Sequence, residues 1–178
     1  MKPLYTQEDI ARQVRALGKE ISQDYQDQEL ILLVVLKGSM IFAADLCREI
    51  SCPVRLDFIR VSSYGSGTTS SGQIDFKIPL QDDIAGKHVL IVEDIIDTGN
   101  TLQVLHQHLL DRQPESLKCC TLIDKKKYRQ VAFEADYVGF TMDDGFIIGY
   151  GLDYNEHYRN LAGIYLLDPN NLPFQGEA

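Results

Sequence analysis

The chain has 178 residues, 44% of them hydrophobic and 24% charged, with a formal net charge of −9. That is enough apolar material for one full core, and no apolar run approaches the ~20 residues that a bilayer-spanning helix needs. The acidic balance argues against non-specific nucleic-acid binding, which wants a basic face, but it leaves room for a phosphorylated small molecule held by a few local donors and a metal ion.

Residues 1–5 lead into a polar amphipathic segment and not into the apolar core of a signal peptide, so the expected compartment is the cytoplasm, with no membrane association. Thr6 caps a helical pattern with Asp9 at capping-box distance, and Ile10, Val14, Leu17 and Ile21 mark its apolar face. Residues 30–36 are a dense apolar run, read as a buried strand. Lys37-Gly38-Ser39 breaks it, and residues 40–50 read as the following helix. Residues 54–61 alternate as a strand, residues 62–72 form a Ser/Thr/Gly-rich loop expected to be mobile, and residues 74–78 look like a returning strand. After a turn at 82–87, residues 89–92 form a buried-type strand and residues 101–110 a helix. Residues 117–123 are another buried strand, 137–140 and 147–150 are shorter β segments, 152–159 is a polar loop, and 164–167 is a last short strand. Strand and helix in alternation predict a parallel α/β sheet with right-handed crossovers. With no internal repeat or break in composition, a single domain over residues 1–178 is expected. The four cysteines, Cys47, Cys52, Cys119 and Cys120, fit no zinc spacing. Buried free thiols are expected of them.

The chemistry concentrates where strands end. In a parallel sheet the loops at 37–39, 93–101 and 124–129 all fall on one edge and can converge. Val92 runs straight into Glu93 and Asp94. Asp97 follows, and then Thr98-Gly99-Asn100-Thr101 opens a helix, offering hydroxyls and backbone N–H groups to an anion. Acids beside an anion site make sense if a divalent cation or a cationic sugar carbon lies between them. As neighbours on a strand, Glu93 and Asp94 should diverge, and each suits a ribose hydroxyl or a hydrated Mg²⁺. Asp97 reads as a helix cap or as a proton acceptor for a heterocyclic N–H. Lys37-Gly38-Ser39 lacks Walker spacing and is either a plain turn or a place of close backbone approach. Lys125 is a donor to a ligand carbonyl or part of a solvated basic run. Phe146 is a stacking platform or a core residue. Asp153 and Arg159 serve phosphate and metal or form a surface ion pair. His88, His106, His108 and His157 show no metal-ligand spacing.

Residues 89–101, Val-Leu-Ile-Val-Glu-Asp-Ile-Ile-Asp-Thr-Gly-Asn-Thr, resemble the phosphoribosyl-pyrophosphate motif of type I phosphoribosyltransferases. The segments 36–39, 62–65, 124–125 and 146–159 resemble one branch, the short bacterial hypoxanthine-guanine type, in the expected order from about Tyr5 to Leu167. The resemblance implies a central parallel sheet flanked by helices, a small hood, and a flexible active-site loop carrying Ser63 and Tyr64. It implies transfer of the 5-phosphoribosyl group from 5-phospho-α-D-ribose 1-diphosphate to N9 of hypoxanthine or guanine, a step of purine salvage. Glu93 and Asp94 would bind ribose hydroxyls and Mg²⁺, Asp97 would be the general base at purine N7, and Thr98, Gly99, Asn100 and Thr101 would take the 5′-phosphate. Lys37 and Gly38 would belong to the pyrophosphate loop, with a cis peptide at Leu36–Lys37. Lys125 would donate to purine O6, Phe146 would stack on the base, and Ile147 would read the base edge. Asp153 would count among the purine-binding residues and hold Mg²⁺ on the pyrophosphate side, Arg159 would contact pyrophosphate, and Arg129 would support that site. Gly145 stands where longer family members carry lysine, which leaves base-edge contacts open. A dimer or tetramer is implied.

Two other readings are weaker. A nucleotide-binding regulatory protein of the same fold, acting on RNA, would want a basic face and often departs from the Glu-Asp-x-x-Asp pattern that is intact here. A dinucleotide-dependent oxidoreductase would want a G-x-G-x-x-G after its first strand, which is missing.

Overall fold

The computed structural model describes residues 3–63, 74–80 and 83–167. The elements run β1 (Pro3–Tyr5), α1 (Gln7–Asp24), β2 (Leu30–Val35), α2 (Met40–Glu49), β3 (Val54–Ser63), β4 (Ile74–Ile78), β5 (His88–Ile96), α3 (Asn100–Leu110), β6 (Ser116–Lys125), β7 (Tyr137–Met142), β8 (Ile147–Ile148) and β9 (Ile164–Leu166). Six strands form the main sheet in the order β4-β3-β2-β5-β6-β7, and β1-β9-β8 form a separate small antiparallel sheet, the hood. Within the main sheet β3, β2, β5, β6 and β7 are mutually parallel, and β4 returns antiparallel on β3.

The two-residue period of a buried strand decides which layer each side chain joins. Leu30, Leu32 and Val34 of β2 pack with Ile10, Val14, Leu17 and Ile21 of α1 and with Phe42 and Leu46 of α2. Ile31, Leu33 and Val35 face the other way, onto Leu102, Leu105 and Leu109 of α3. Helices therefore cover both faces of β2 and β5, which explains their unbroken apolar sequence. On β6 the adjacent Cys119 and Cys120 divide between these two cores. All four cysteines are free, but Cys47 and Cys52 are only part-buried.

Helix α1 begins with the expected capping box. The Thr6 hydroxyl accepts from the Asp9 N–H and the Asp9 carboxylate accepts from the Thr6 N–H, both at 3.1 Å. Several strands outrun their apolar runs. β3 continues through Ser62 and Ser63, which pair with Asp75 and Ile74, so the first two residues of the expected loop are strand. Tyr64 and the remainder of that loop up to residue 72 lie outside the described residues. β5 carries on past Val92 to Ile96, and β6 to Lys125, held by the ladder that runs to Ile96 opposite Asp124. β1 had no strand signature in the sequence. It pairs with β9 through Pro3 opposite Tyr165 and Tyr5 opposite Ile164.

Candidate active site

Because β2, β5 and β6 are parallel, their carboxyl ends lie on one edge of the sheet, where ligands of open α/β folds bind. A cleft of about 380 Å³ opens there. Its walls are residues 35–38 at the end of β2, residues 93–99 with Thr101 and Leu102 from the end of β5 to the start of α3, Val61 of β3, and Asp153 and Arg159 from the loop before β9. The cleft thus gathers Lys37, Gly38, Glu93, Asp94, Asp97, Thr98, Gly99, Thr101, Asp153 and Arg159. Asn100, Lys125, Phe146 and Ile147 are not among its lining residues.

The peptide Leu36–Lys37 is cis. The turn it forms seats Gly38 against Asp94: a β-carbon on Gly38 would fall 1.7 Å from Asp94 Oδ2. Close approach is therefore the reason for glycine here. Asp94 is also held by its Oδ1, which accepts from the Ile95 N–H at 2.8 Å.

Glu93 and Asp94 do not diverge as expected of strand neighbours. Glu93 folds back, its Oε1 accepting from the Asp94 N–H at 3.1 Å, and the two carboxyls interact. Burial pushes the Glu93 carboxyl well up from its ordinary value, and the neighbouring Asp94 adds to the rise. Burial also raises Asp94, against the lowering effect of the hydrogen bond from Glu93 and of the Ile95 N–H. Two crowded carboxyls, Asp94 buried and Glu93 half-buried, resist carrying two charges unless a cation joins them. Among the described residues no three His, Cys, Asp or Glu side chains form a ready metal cage. Mg²⁺ needs none: it takes one or two carboxylates and completes its shell with ligand oxygens and water. Glu93 and Asp94 fit that use. Asp153 is not grouped with them among the described residues, and its Oδ1 pairs with Arg159 at 2.8 Å.

Asp97 reaches Lys125 of β6, with Oδ2 at 3.3 Å from the ammonium, while its Oδ1 is buried with no partner. Lys125 is almost fully enclosed, at 7% exposure, so it is no part of a solvated basic run. Arg129 braces this corner, in contrast to the expectation that it supports the pyrophosphate side. Its Nε donates to the Asp97 carbonyl at 3.0 Å, its other nitrogens bond the carbonyls of Phe133 and Lys125, and it forms a buried ion pair with Asp124. The sequence offered no sign of this beyond a charged pair five residues apart. Gly99, at φ +82°, turns the chain into α3, and no side chain caps that helix. Thr98 and Thr101 line the cleft, but the Asn100 amide is engaged with Gln130 Oε1 at 2.6 Å.

On the opposite wall, Lys37 Nζ lies 2.8 Å from Glu156 Oε2. Arg159 bonds the Gly151 carbonyl at 2.7 Å as well as Asp153, and its buried Nε has no partner. Glu156 was legible only as one letter in the 146–159 segment. Phe146 is 49% exposed and meets Tyr154 edge-on, with ring centroids 5.7 Å apart. It is therefore no core residue. Ile147 is buried in β8, opposite Leu166.

Residues 2–155 match the phosphoribosyl transferase domain family. The chain is 47% identical over 169 residues to a hypoxanthine-guanine phosphoribosyltransferase of Aquifex aeolicus (strain VF5), covering 94% of this chain and 95% of the relative. It is 45% identical over 165 residues to a hypoxanthine phosphoribosyltransferase of Salmonella typhimurium (strain LT2), covering 90% and 93%. A crystal structure of a hypoxanthine phosphoribosyltransferase from Staphylococcus aureus superposes with a TM-score of 0.92 at 43% identity, covering 95% of this chain and 92% of that one.

Proposed function

The chain belongs to the phosphoribosyl transferase family, and from that membership we propose that it is the purine-salvage enzyme that joins hypoxanthine, and guanine, to 5-phospho-α-D-ribose 1-diphosphate. N9 of the purine forms a bond to C1 of the sugar, the bond from C1 to the diphosphate oxygen breaks, and pyrophosphate leaves with the electron pair. The observation that carries the reading is the seating of the Lys37–Gly38 turn directly on the Asp94 carboxylate, in the same cleft as the uncapped start of α3.

In this reading the open turn at Thr98, Gly99 and Thr101 takes the 5′-phosphate. Asn100 contributes through its backbone, its side chain being spent on Gln130. Glu93 and Asp94 would hold the ribose hydroxyls and Mg²⁺, and a Mg²⁺ bound there would supply countercharge for the pyrophosphate. Lys37, Gly38, Asp153 and Arg159 surround that leaving group, and the unpartnered Arg159 Nε is a donor still to be used. The unpartnered Asp97 Oδ1 is the acceptor for the proton that the purine N7 gives up as the new bond forms. Lys125, already beside Asp97, donates to O6, the exposed face of Phe146 stacks on the base, and the Ile147 backbone reads its edge. Ser63 leads from β3 into the segment, with Tyr64, that would close over the reacting centre.

A cytoplasmic setting suits the four free thiols. Among the described residues no helix is long and apolar enough to cross a membrane. An assembly of two or four copies goes with this reading. Leu56 and Phe58, alternate residues on one face of β3, supply exposed apolar surface for such a contact.

The test is a spectrophotometric assay with hypoxanthine, guanine, xanthine and adenine, each with and without Mg²⁺. Hypoxanthine should turn over only with Mg²⁺. Adenine should be very poor, because its 6-amino group presents a donor to the Lys125 ammonium, and a buried donor without an acceptor costs about 1–3 kcal/mol. Adenine used as well as hypoxanthine would remove Lys125 from this role.

A further inference from the structure

Glu156 occupies a backbone position that glutamate does not favour. Tyr154 and His157 exchange N–H···O bonds of 3.2 and 3.0 Å, closing a tight turn. Its two central residues, Asn155 and Glu156, have φ of +49° and +65°. Asparagine and glycine suit such a turn, and glutamate has no local reason to be there. The turn is pinned by the Glu156 N–H, which donates to Asp153 Oδ2 at 2.9 Å. The consequence is a carboxylate aimed back at the cleft from outside it. Its Oε2 lies 2.8 Å from Lys37 Nζ and 3.4 Å from Arg159. These are two cations of the cleft wall, and Glu156 bridges them without itself lining the cleft.

We propose that Glu156 is a resident counter-ion for the pyrophosphate-binding cations: it holds Lys37 and Arg159 when the site is empty, yields them to the incoming diphosphate, and competes for them when pyrophosphate must leave. This rests on the reading of Lys37 and Arg159 as pyrophosphate ligands. The exposures suit an exchangeable contact. The Glu156 and Lys37 side chains are 62% and 45% exposed, so their pair is weak and easily given up. Arg159 is more enclosed and has separate anchors in Asp153 and the Gly151 carbonyl. It therefore stays in place while Lys37 is released. The Lys37 backbone is fixed by the contact of Gly38 with Asp94, so only its ammonium has to move.

A counter-ion and a positioning residue predict opposite signs. If Glu156 only pre-placed the two cations, its loss would weaken pyrophosphate binding. If it competes with pyrophosphate, its loss tightens it. The experiment measures inhibition by inorganic pyrophosphate with Mg²⁺, against varied phosphoribosyl diphosphate, in Glu156→Gln and Glu156→Ala. The inhibition constant should fall about two- to fivefold, the reach of exposed ion pairs. KM for the diphosphate substrate should fall with it, and KM for hypoxanthine should stay at the wild-type value. An inhibition constant that rises or stays level overturns the proposal. Lys37→Gln, measured alongside, separates the two layers of argument. If it leaves pyrophosphate inhibition unchanged, the reading of the pyrophosphate site has failed. If it weakens inhibition while both Glu156 variants fail to tighten it, only the counter-ion role has failed.

Discussion

Gly38 has no room for a side chain. In Gly38→Ala the new methyl would meet Asp94 Oδ2 at 1.7 Å and Asp94 Cγ at 2.7 Å, so either the turn lifts or the carboxylate leaves its bond to the Ile95 N–H. A misplacement of about 1 Å in a reacting constellation costs on the order of 100-fold. Gly38→Ala should therefore lose at least that factor in kcat/KM while its far-ultraviolet circular dichroism stays that of the wild type. Wild-type turnover would show that the turn does not need Asp94. The need for glycine at 38 was open in the sequence, where a strand-to-helix turn explained it equally well. What could be read were residues whose type limits their chemistry: Glu93, Asp94 and Asp97 at a strand end, and Thr98 and Thr101 at a helix start. The placement of Arg129 and Glu156 could not be read, because the bonds that bring them to the site run to the Asp97 carbonyl and to Lys37, both distant in sequence, and no local pattern records those.

Most elements were visible because their side chains obey a period. The α1 face of Ile10, Val14, Leu17 and Ile21 is buried as a unit, and its start is written in Thr6 and Asp9. Removing that start in Thr6→Ala should lower stability by about 1 kcal/mol, as losses of an N-terminal cap do, with kcat unchanged. Urea unfolding and the purine assay together check this. A stability equal to wild type would mean that packing of α1 alone sets its boundary. Strand ends were less visible. Apolar sequence stops at Val92, but β5 continues because backbone pairing with β6, as in Ile95 opposite Ile123, does not depend on side-chain polarity. The strand thereby carries its acids to the edge of the sheet as part of a rigid ladder. β1, three residues long, is too short to show a period and exists because β9 pairs with it.

The molecule as a whole is tied across its layers at Asp24, the last residue of α1. Its Oδ2 accepts from Lys118 of β6 at 2.8 Å and from Tyr137 of β7 at 2.5 Å. The Lys118 hydrogen bond, then that of Tyr137, holds the carboxyl below its ordinary 3.8. A carboxyl with a depressed folded-state value adds stability that is complete above the unfolded value and disappears as pH falls through the folded one. Asp24→Asn should thus be less stable than wild type at pH 7, by about 0.5 kcal/mol after solvent screening. The gap should narrow below pH 3.8, which urea unfolding at pH 7 and pH 3 measures. A gap that widens in acid would remove the carboxylate as its source. At this scale the parallel sheet was readable from alternation of strand and helix. The hood was not readable from the residues, since β1 and β9 lie at opposite ends of the described chain.

The neighbouring cysteines of β6 give these two cores separate witnesses. Cys119 belongs to the α3 side and Cys120 to the side of α1 and α2. Burial pushes both thiols up, so neither is a nucleophile while its helical cover is in place. Modification of one sulfur is therefore a record of which layer lifted from the sheet. Two adjacent residues distinguish a chain that opens on one side from a chain that opens on both.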